Sequence, residues 1–497
     1  MKNAIIWSAA TLCHKLTHIL KIAIFVLIPT TAIAQTTSSV DFDNNGEVGF
    51  GDFLLFAQAF GSTNTVFDLD GDGRVGFGDF LSFVTFFKQP TPPSTTLPNI
   101  LLIIADDMGI EATPGYDTGS EKPSMPNLEE LIANGIVFDN VWANPLCSPT
   151  RATILTGKYG FRTGVVSPRV NEIGLTETSL QKYLTDHAPT TYQHAVIGKW
   201  HLSGTSNGGV DNPNLMGVGH YAGLLSGVHT DYSNWSLVTN GQRTNSTNYS
   251  TTVFTDLAID WVSQQQNPWF LWTAYTAPHT PIHLPPASLL QNNTLSGTTA
   301  DINANPLPYY LAMIQAMDTE IGRLLKAIDR DNTLIIFIGD NGSPRRAIQS
   351  PYRPARAKGT VYEGGIHVPM IIAGKGVTRK GERESALINS TDLFATIADI
   401  AGTELEEIYD SKSFKKLLTG DTMQTRSFLY SEVLQDDGTH WAVRNTTYKL
   451  LNFGNNTQAF YNLSIDPYEQ NNLINNLDSD ASQAKINLET LVQNMKN

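Results

Sequence analysis

The sequence predicts an α/β fold with a layered core, a smaller C-terminal antiparallel sheet and a small N-terminal helical module. Continuous apolar runs at 99–105, 269–275 and 333–338 have the length and composition of strands buried on both faces. A helical pattern at 309–329 lies between the last two runs, and such alternation is typical of layered α/β domains. From about residue 426, short strand-type runs separated by turns favour an antiparallel sheet.

The N-terminus has the parts of a secretory signal peptide. Basic residues from Lys2 to Lys21 precede the apolar run 22–28, and an Ala-x-Ala sequence ends at Ala34. The apolar run is shorter than the ~20 residues that a membrane-spanning helix needs. We therefore predict that residues 1–34 are a signal peptide and that the mature protein is periplasmic or secreted, without a transmembrane segment.

Composition limits the function classes. The 497 residues are 41% hydrophobic and 16% charged, which is an ordinary globular composition for two or three domains. The net charge of -14 argues against general nucleic-acid binding, which needs a basic surface.

Residues 35–88 contain two copies of an acidic loop, Asp-x-Asp-x-Asn/Asp-Gly, with a further Asp at the twelfth position and an apolar helical run behind it. That spacing places oxygens around one cation, and the glycine permits the sharp turn. The pair resembles dockerin-type calcium repeats, an EF-hand-like helical module, and the resemblance implies Ca²⁺ binding. Phe and Gly occupy loop positions ten and eleven, so a stabilising role or a surface or scaffold partner is favoured over cohesin pairing. The predicted ligands are Asp41, Asp43, Asn45, Asp52, Asp68, Asp70, Asp72 and Asp79.

A Pro- and Thr-rich linker at 89–98 marks a domain boundary. We assign 99–425 to the catalytic domain and 426–497 to the C-terminal antiparallel subdomain. An amphipathic helix at about 481–495 is expected to close the chain.

Two acidic pairs follow predicted strands. Asp106 and Asp107 come after the first apolar run, and Asp340 and Asn341 follow the run at 333–338. Adjacent carboxylates at a strand end repel each other unless a cation lies between them. Three carboxylates and one amide oxygen suit a hard cation such as Ca²⁺ or Mg²⁺, and the sequence leaves the choice open.

Cys147 lies in the frame Cys-x-Pro-x-Arg, with Pro149 and Arg151 at fixed offsets, at the start of a helix expected to close at Gly157. The other of the 2 cysteines, Cys13, falls in the signal peptide. A buried lone cysteine usually packs as a small hydrophobe. Backbone N–H groups at a helix N-terminus favour an anion, and the Pro and Arg offsets favour a functional cysteine.

Three further fragments carry basic and imidazole side chains. Lys199 and His201 are two residues apart after a strand-type run, so extended geometry directs both side chains to one face. His279 and His283 lie in a proline-bounded turn, and Lys358 precedes a glycine-rich turn. Taken alone, each fragment fits a structural role, as a packed histidine or a solvated lysine, as well as it fits a functional one.

The Cys147 frame followed by Leu-Thr-Gly, together with the acidic pairs and these three fragments, resembles the type I sulfatases of the alkaline phosphatase superfamily. The resemblance covers roughly 98–473 and implies an alkaline-phosphatase-like layered core. It further implies that a formylglycine-generating maturation enzyme converts Cys147 to Cα-formylglycine. The metal ligands it implies are Asp106, Asp107, Asp340, Asn341 and the modified Cys147.

The resemblance also implies a sulfuric ester hydrolase in which a formylglycine diol attacks sulfur with the help of one divalent cation. It assigns the base to His201, and it implies that His279 protonates or hydrogen-bonds the leaving oxygen. Lys199 and Lys358 would offset the charge of the sulfate oxygens, and Arg151 would hold the diol.

Four arginines lie between Asn341 and Lys358, an unusual density in an acidic chain. They are either a solvated loop or a subsite for anionic sugars, and with export they favour a sulfated polysaccharide or its oligosaccharides as substrate. The tentative substrate-binding residues are His283, Arg345, Arg346, Arg353 and Arg356.

Two other functions remain open from the sequence. A phosphonate monoester or phosphodiester hydrolase of the same superfamily would use the same nucleophile, although such enzymes typically have His where this chain has Asn341. A non-catalytic carbohydrate-binding surface protein would keep the fold and the calcium repeats without turnover.

Overall fold

The computed structural model describes residues 40, 42–43, 48–86, 97–291, 294–404, 408–421, 426–455 and 457–497. The predicted signal peptide, most of the predicted linker, and the predicted calcium ligands Asp41 and Asn45 lie outside the described residues. The chain divides into two compact units, one ending at Thr95 and the other beginning at Thr96.

The N-terminal unit contains helices α1 (Phe50–Ala59) and α2 (Phe77–Phe86). Its small core is formed by buried apolar side chains that include Val48, Phe56, Val75 and Phe83. The rings of Phe56 and Phe83 stack with centroids 5.3 Å apart, and the centroids of Phe56 and Phe80 lie 6.3 Å apart, so the two helices pack through aromatic side chains. The EF-hand-like assignment of this unit remains a prediction.

The second unit is built on a ten-stranded mixed sheet in the order β10-β2-β9-β8-β1-β7-β3-β4-β5-β6. The central strands β8, β1, β7 and β3 are parallel, whereas β9 runs antiparallel between β8 and β2. The strands are β1 (Asn99–Ala105), β2 (Gly135–Trp142), β3 (Gln193–Gly198), β4 (His220–Gly223), β5 (Trp235–Thr239), β6 (Gln242–Ser246), β7 (Trp269–Tyr275), β8 (Thr333–Gly339), β9 (Met370–Gly374) and β10 (Glu382–Asn389).

Helices cover both faces of this sheet, because the side chains of each central strand alternate between two apolar clusters. Ile100, Leu102 and Ile104 of β1 face one cluster, and the intervening residues face the other. The helices of this unit are α3 (Pro126–Ala133), α4 (Cys147–Thr156), α5 (Gly160–Thr163), α6 (Leu180–His187), α7 (Asn212–Leu215), α8 (Ser250–Ser263), α9 (Thr299–Ala304), α10 (Pro306–Ala327), α11 (Glu363–Ile366), α12 (Asp392–Ile400) and α13 (Ser479–Lys496). Single 3₁₀ turns span Ile110–Ala112, Thr205–Asn207, Gly209–Asp211, Ala287–Leu289, Arg330–Asn332, Pro354–Arg356 and Lys415–Leu418.

A second sheet of four antiparallel strands follows, in the order β11-β12-β13-β14. One of its faces packs against α13 through residues such as Val443 and Leu488, and the other packs against Trp142 of the large sheet. These strands are β11 (Leu429–Gln435), β12 (Gly438–Arg444), β13 (Tyr448–Asn452) and β14 (Gln458–Asn462). The predicted α/β core with a smaller antiparallel sheet is therefore confirmed, and its large sheet is mixed.

Across the described residues, no helix is both long enough and apolar enough to traverse a lipid bilayer.

Candidate active site

Polar side chains collect at one edge of the large sheet, where four neighbouring parallel strands end. Asp340 and Asn341 follow β8, Asp106 and Asp107 follow β1, and the loop after β7 carries His279. Lys199 and His201 follow β3. Because parallel strands end at a common edge, residues far apart in sequence meet there. The sequence-predicted residues of these four strand ends are therefore brought together.

Helix α4 supplies Cys147 and Arg151 to the same place. Gly157 ends the helix in a left-handed conformation, with φ of 69°, and its N–H donates to Thr153 O at 2.9 Å. Cys147 is the first residue of the helix and is 3% exposed. Its Sγ lies 3.2 Å from His201 Nδ1.

The Arg151 guanidinium joins three of the strand ends. Nη2 lies 2.9 Å from Asp340 Oδ2 and 3.6 Å from Asp106 Oδ2, and Nη1 donates to the carbonyl of Lys199 at 2.7 Å. The ammonium group of Lys199 donates to Asp106 Oδ2. Arg151 and Lys199 are both fully buried, so these charges are compensated by carboxylates rather than by water.

Asp107 is surrounded by donors. Lys358 Nζ and Asn341 Nδ2 both donate to its Oδ1, the latter at 2.8 Å, and His279 Nε2 lies 3.7 Å from its Oδ2. The N–H of Asp107 donates to Asp340 Oδ1 at 3.1 Å. Lys358, which the sequence placed in a separate loop, therefore belongs to the same cluster.

Two residues of the cluster have left-handed backbones, Asp107 with φ of 70° and His201 with φ of 63°. Such conformations are uncommon for residues with side chains and concentrate at functional sites. Gly198, just before the Lys199 segment, has φ of 113°, and a Cβ there would lie 2.0 Å from Ala274 O. Glycine is thus required where β3 turns toward the cluster.

Burial has the largest effect on the pKa values of His201, His279 and Cys147. Burial, followed by the charges of Lys199 and Arg151, holds the pKa of His201 well below its usual value. Burial also lowers the pKa of His279 and raises that of the Cys147 thiol. Both imidazoles are therefore neutral near pH 7, and the thiol is not ionised.

The acids of the cluster differ. Burial raises and the neighbouring His279 and Lys358 lower the pKa of Asp107, and the net direction is downward. For Asp340, burial and then the charge of Asp106 raise the pKa. The contrast reflects the closer pairing of Asp107 with donors and the repulsion between Asp106 and Asp340.

The oxygens at this edge fit a hard divalent cation. Ligand atoms of Asp106, Asp340 and Cys147 lie within 4.8 Å of one another. Among the described residues, Asp106 Oδ1 and Asn341 Oδ1 are buried oxygens with no hydrogen-bond donor. Buried oxygens without partners are costly, and carboxylate and amide oxygens are the ligands that Ca²⁺ and Mg²⁺ prefer.

Four of the five tentative substrate-binding residues are hydrogen-bonded to other protein groups. His283 accepts or donates at Tyr249 OH, 3.1 Å away, and Arg346 Nη2 donates to Asn303 O at 3.1 Å. Arg353 donates to Gln470 Oε1. Of the other two arginines in this set, Arg345 is exposed and Arg356 donates to Glu469 O.

In the N-terminal unit, carboxylate oxygens of the second loop converge to within 4.8 Å; they belong to Asp68, Asp70, Asp72 and Asp79. The twelfth-position aspartates act alike in both loops. Asp52 Oδ2 accepts from Gly49 N–H at 2.7 Å, and Asp79 Oδ2 accepts from Gly76 N–H at 2.6 Å. Asp43, in the described part of the first loop, is exposed.

Sequence reasoning missed several polar residues behind the cluster. Thr150 Oγ1 donates to Asp340 O at 2.7 Å, and Tyr310 OH donates to Asp107 O at 2.7 Å. Ser343 and Glu111 are fully buried beside them. Ser343 had a sequence cue, since it directly follows Asp340-Asn341-Gly342, whereas Tyr310 lies in a helix whose pattern indicates only packing.

Fold and site define the class of the protein. Residues 98–403 match the sulfatase family, and residues 356–497 match the family described as N-sulphoglucosamine sulphohydrolase, C-terminal. The chain belongs to the sulfatase family, whose members are sulfuric ester hydrolases.

Relatives agree with this assignment. The chain is 30% identical over 365 residues to the uncharacterized sulfatase YdeN of Escherichia coli, covering 61% of this chain and 62% of that protein. It is 28% identical to Arylsulfatase J of Mus musculus over 337 residues, 63% of this chain and 54% of the relative. In neither case does the chain span two thirds of the relative. With N-acetylglucosamine-6-O-sulfatase of Bacteroides thetaiotaomicron it shares 25% identity over 488 residues, 77% and 84% of the two chains.

Solved structures support the fold. Ps i-CgsB in complex with k-i-k-neocarrahexaose has a TM-score of 0.66 at 24% identity, covering 79% of this chain and 92% of the other. BT4656 in complex with D-glucosamine-2-N,6-O-disulfate has a TM-score of 0.65 at 22% identity, covering 80% and 98%.

Proposed function

We propose that this protein is an exported sulfatase that hydrolyses sulfate esters of a sulfated carbohydrate, using formylglycine made from Cys147 and one divalent cation. The observation that carries the proposal is the position of Cys147. Its Sγ, at the start of α4, lies within 4.8 Å of carboxylate oxygens of Asp106 and Asp340, at an edge that also carries Lys199 and His201. The proposal agrees with the membership of the chain in the sulfatase family.

In this proposal, Asp106, Asp107, Asp340 and Asn341 would hold the cation. The cation and the formylglycine would together supply the nucleophilic oxygen for attack on sulfur. Arg151, fixed by its bonds to Asp340 and to the Lys199 carbonyl, orients the side chain at position 147.

In this proposal, the remaining residues stabilise negative charge or take part in proton transfer. Lys199 and Lys358 offset the negative charge of the sulfate oxygens from positions that are buried or largely buried. His201 Nδ1, 3.2 Å from Cys147 Sγ and neutral near pH 7, is placed to accept a proton from the side chain at position 147. His279, whose carbonyl oxygen accepts from Tyr232 OH at 2.6 Å, faces the leaving oxygen.

The first test is the mass of the peptide that contains residue 147, from protein purified from the native host. Formylglycine replaces the thiol with an aldehyde, and an unmodified cysteine in the active native protein would overturn the proposal. Cys147→Ala should abolish turnover. Unchanged turnover in that variant would instead favour the non-catalytic binding protein.

The second test separates the two hydrolase classes. We expect kcat/KM for an aryl sulfate to exceed that for an aryl phosphodiester. Both carry one negative charge, but the sulfate monoester offers three terminal oxygens to the two lysines and the cation, whereas the phosphodiester offers two and carries a second ester group. A strong preference for the phosphodiester would favour the phosphonate or phosphodiester hydrolase.

The proposed substrate class is supported by the ligands named for two similar structures and by arginine side chains between Asn341 and Lys358. BT4656 was solved with a disulfated glucosamine and Ps i-CgsB with a neocarrahexaose. The exposed Arg345 and the partly exposed Arg356 would meet further anionic groups of such a chain. The test compares kcat/KM of wild type and Arg345→Ala on sulfated oligosaccharides and on an aryl sulfate that has no further anionic group. An Arg345→Ala variant with unchanged kcat/KM on the oligosaccharides would contradict the proposed substrate class.

We propose that the N-terminal unit is a dockerin-like calcium module that stabilises the protein or docks it to a surface or scaffold partner. The converging carboxylates of Asp68, Asp70, Asp72 and Asp79 support calcium binding in the second loop. Calorimetric titration of Asp79→Asn should lose a Ca²⁺-binding event. An unchanged titration would contradict the module.

A further inference from the structure

The segment after β4, residues 224–232, lies against both histidines of the proposed mechanism. It continues the pairing of β3 with β4 beyond the ends of these strands. The N–H of Trp200 donates to Leu224 O at 3.0 Å, and the N–H of His201 donates to Leu225 O at 3.2 Å. Backbone hydrogen bonds therefore hold the start of the segment beside His201.

Gly227 brings the backbone of this segment directly against the imidazole of His201. A Cβ at this position would lie 2.1 Å from His201 Nε2 and 2.2 Å from its Cε1, so a side chain here would push the ring aside. The φ of Gly227 lies outside the left-handed range, so the position needs glycine for space rather than for backbone conformation. The ring that this glycine admits has its Nδ1 3.2 Å from Cys147 Sγ.

The far end of the segment is buried and contacts His279. His229 is 3% exposed, and the centroid of its ring lies 4.7 Å from that of Tyr232. Tyr232 is also buried, and its OH donates to His279 O at 2.6 Å. One short segment thus reaches the imidazole of His201 through Gly227 and the backbone of His279 through Tyr232.

We infer that residues 224–232 are a positioning segment for the reaction, in which Gly227 fixes the ring of His201 and Tyr232 fixes the turn that carries His279. The inference rests on the proposed function, in which His201 accepts a proton from the side chain at position 147 and His279 faces the leaving oxygen. Gly227 and Tyr232 act through these histidines, so changing either should alter catalysis more than substrate binding.

The first test reads the position of the ring and does not depend on turnover. In a crystal structure of full-length Gly227→Ala that retains an unconverted Cys147, we expect His201 Nδ1 to lie beyond hydrogen-bond reach of Sγ. Gly174→Ala is the matched control and should keep the contact, because a Cβ at Gly174 would lie 3.8 Å from Thr176 Oγ1, the nearest described atom.

A second variant covers the case in which Gly227→Ala leaves the protein unfolded. The double variant Gly227→Ala with His201→Ala should then fold, because the ring that meets the new methyl group is absent. A ring that keeps its place in Gly227→Ala, or a double variant that also fails to fold, would overturn the inference.

Kinetics on an aryl sulfate then separate positioning from a general loss of structure. We expect Gly227→Ala to lower kcat by about 100-fold with KM within about threefold of wild type, because a general base acts in the transition state. Gly174→Ala should keep the wild-type kcat. Equal kcat values for the two alanine variants would overturn the role of Gly227.

Tyr232→Phe tests the other end of the segment through the leaving group. A poor leaving oxygen needs the most help from a donor, so kcat/KM should fall about tenfold on phenyl sulfate and under about threefold on 4-nitrophenyl sulfate. Gly227→Ala should lose activity to the same extent on both substrates, since His201 does not face the leaving oxygen. The control Tyr192→Phe removes a buried hydroxyl that donates to Pro98 O at the amino ends of β1 and β3, and it should match wild type. A Tyr232→Phe loss that is equal on both substrates would overturn the role of Tyr232.

Failure of the inference and failure of the proposed function give different results. If wild type hydrolyses aryl sulfates and Gly227→Ala does so equally well, the inference fails alone. If wild type hydrolyses no sulfate ester, the proposed function fails, and the crystal structures still decide whether Gly227 holds the ring of His201.

Discussion

Thr150 Oγ1 donates a hydrogen bond to the carbonyl oxygen of Asp340 over 2.7 Å. This bond joins α4, which carries Cys147 and Arg151, to the end of β8, which carries two proposed metal ligands. A side chain with neither proposed role thus joins the proposed nucleophile, Cys147, to the segment that carries the proposed metal ligands.

Thr150→Val should lower kcat by roughly tenfold, because small displacements of reacting groups are costly. Thr150→Ser keeps the hydroxyl and should retain most of the activity. The control Thr156→Val removes another buried hydroxyl of α4, one that donates to Ala152 O, and should leave kcat unchanged. Steady-state kinetics on an aryl sulfate check this, and equal kcat values for the two valine variants would contradict it.

Removing the cation should weaken the binding of sulfate. The site has three carboxylates and three basic groups, so its net charge is close to zero without a cation. A bound divalent cation raises the net charge to about +2. The six groups are Asp106, Asp107, Asp340, Arg151, Lys199 and Lys358. We expect chelation to raise the Kd for inorganic sulfate at least about tenfold and Ca²⁺ to restore it. Asp106→Asn provides the control that should not respond to calcium, and a sulfate affinity independent of the cation would count against the charge balance.

Lys449 should be a main determinant of stability. Its ammonium is fully buried, 2.8 Å from Glu363 Oε1 and 2.9 Å from Glu469 Oε1. Lys449→Met leaves two buried carboxylates side by side, and we expect a loss of about 3–5 kcal/mol in the free energy of unfolding. Lys485→Met removes a lysine of α13 from a solvated pair with Glu489 and should cost under about 1 kcal/mol. Denaturant titrations of both variants compare them, and similar losses would contradict the prediction.

His194 should make stability depend on pH. Burial lowers its pKa to about 4. Its Nδ1 accepts from Gly219 N–H at 2.9 Å, so a proton there would face another donor. Between about pH 6.5 and pH 4 the unfolded chain binds a proton that the folded chain does not, so stability falls as pH falls, by up to about 3 kcal/mol.

The difference between wild type and His194→Gln isolates this contribution from those of other histidines. The variant should lose part of the decline in unfolding free energy over this pH range. His187→Gln, which removes an exposed imidazole from α6, should keep the wild-type profile. Parallel pH profiles for wild type and His194→Gln would refute the prediction.

The sequence predicts those elements whose structure depends on one local property, such as a continuous apolar composition. The apolar runs that became β7 and β8 are buried along their whole length, so composition alone predicts them. The acidic pairs were expected at strand ends, and parallel pairing of β1 with β8 then brings them together. The role of each of these residues remains a prediction.

Other elements depend on contacts that the sequence does not display. Strand β6 (Gln242–Ser246) has no apolar residue and exists because it pairs with β5 at the sheet edge. Strand β10 begins with charged residues and is buried only at its C-terminal half. Thr150 and Tyr310 serve the site through backbone carbonyls of distant residues, a relationship that only the folded chain reveals.

The burial of Cys147 has a consequence for when its proposed modification would occur relative to folding. Only 3% of Cys147 is reachable from outside, and the helix that begins with it is buried along its length. The proposed maturation enzyme would therefore need the segment around Cys147 in an unfolded, extended form. The proposed oxidation to the aldehyde would then precede folding of this sheet edge, and a chain that folded first would keep its cysteine.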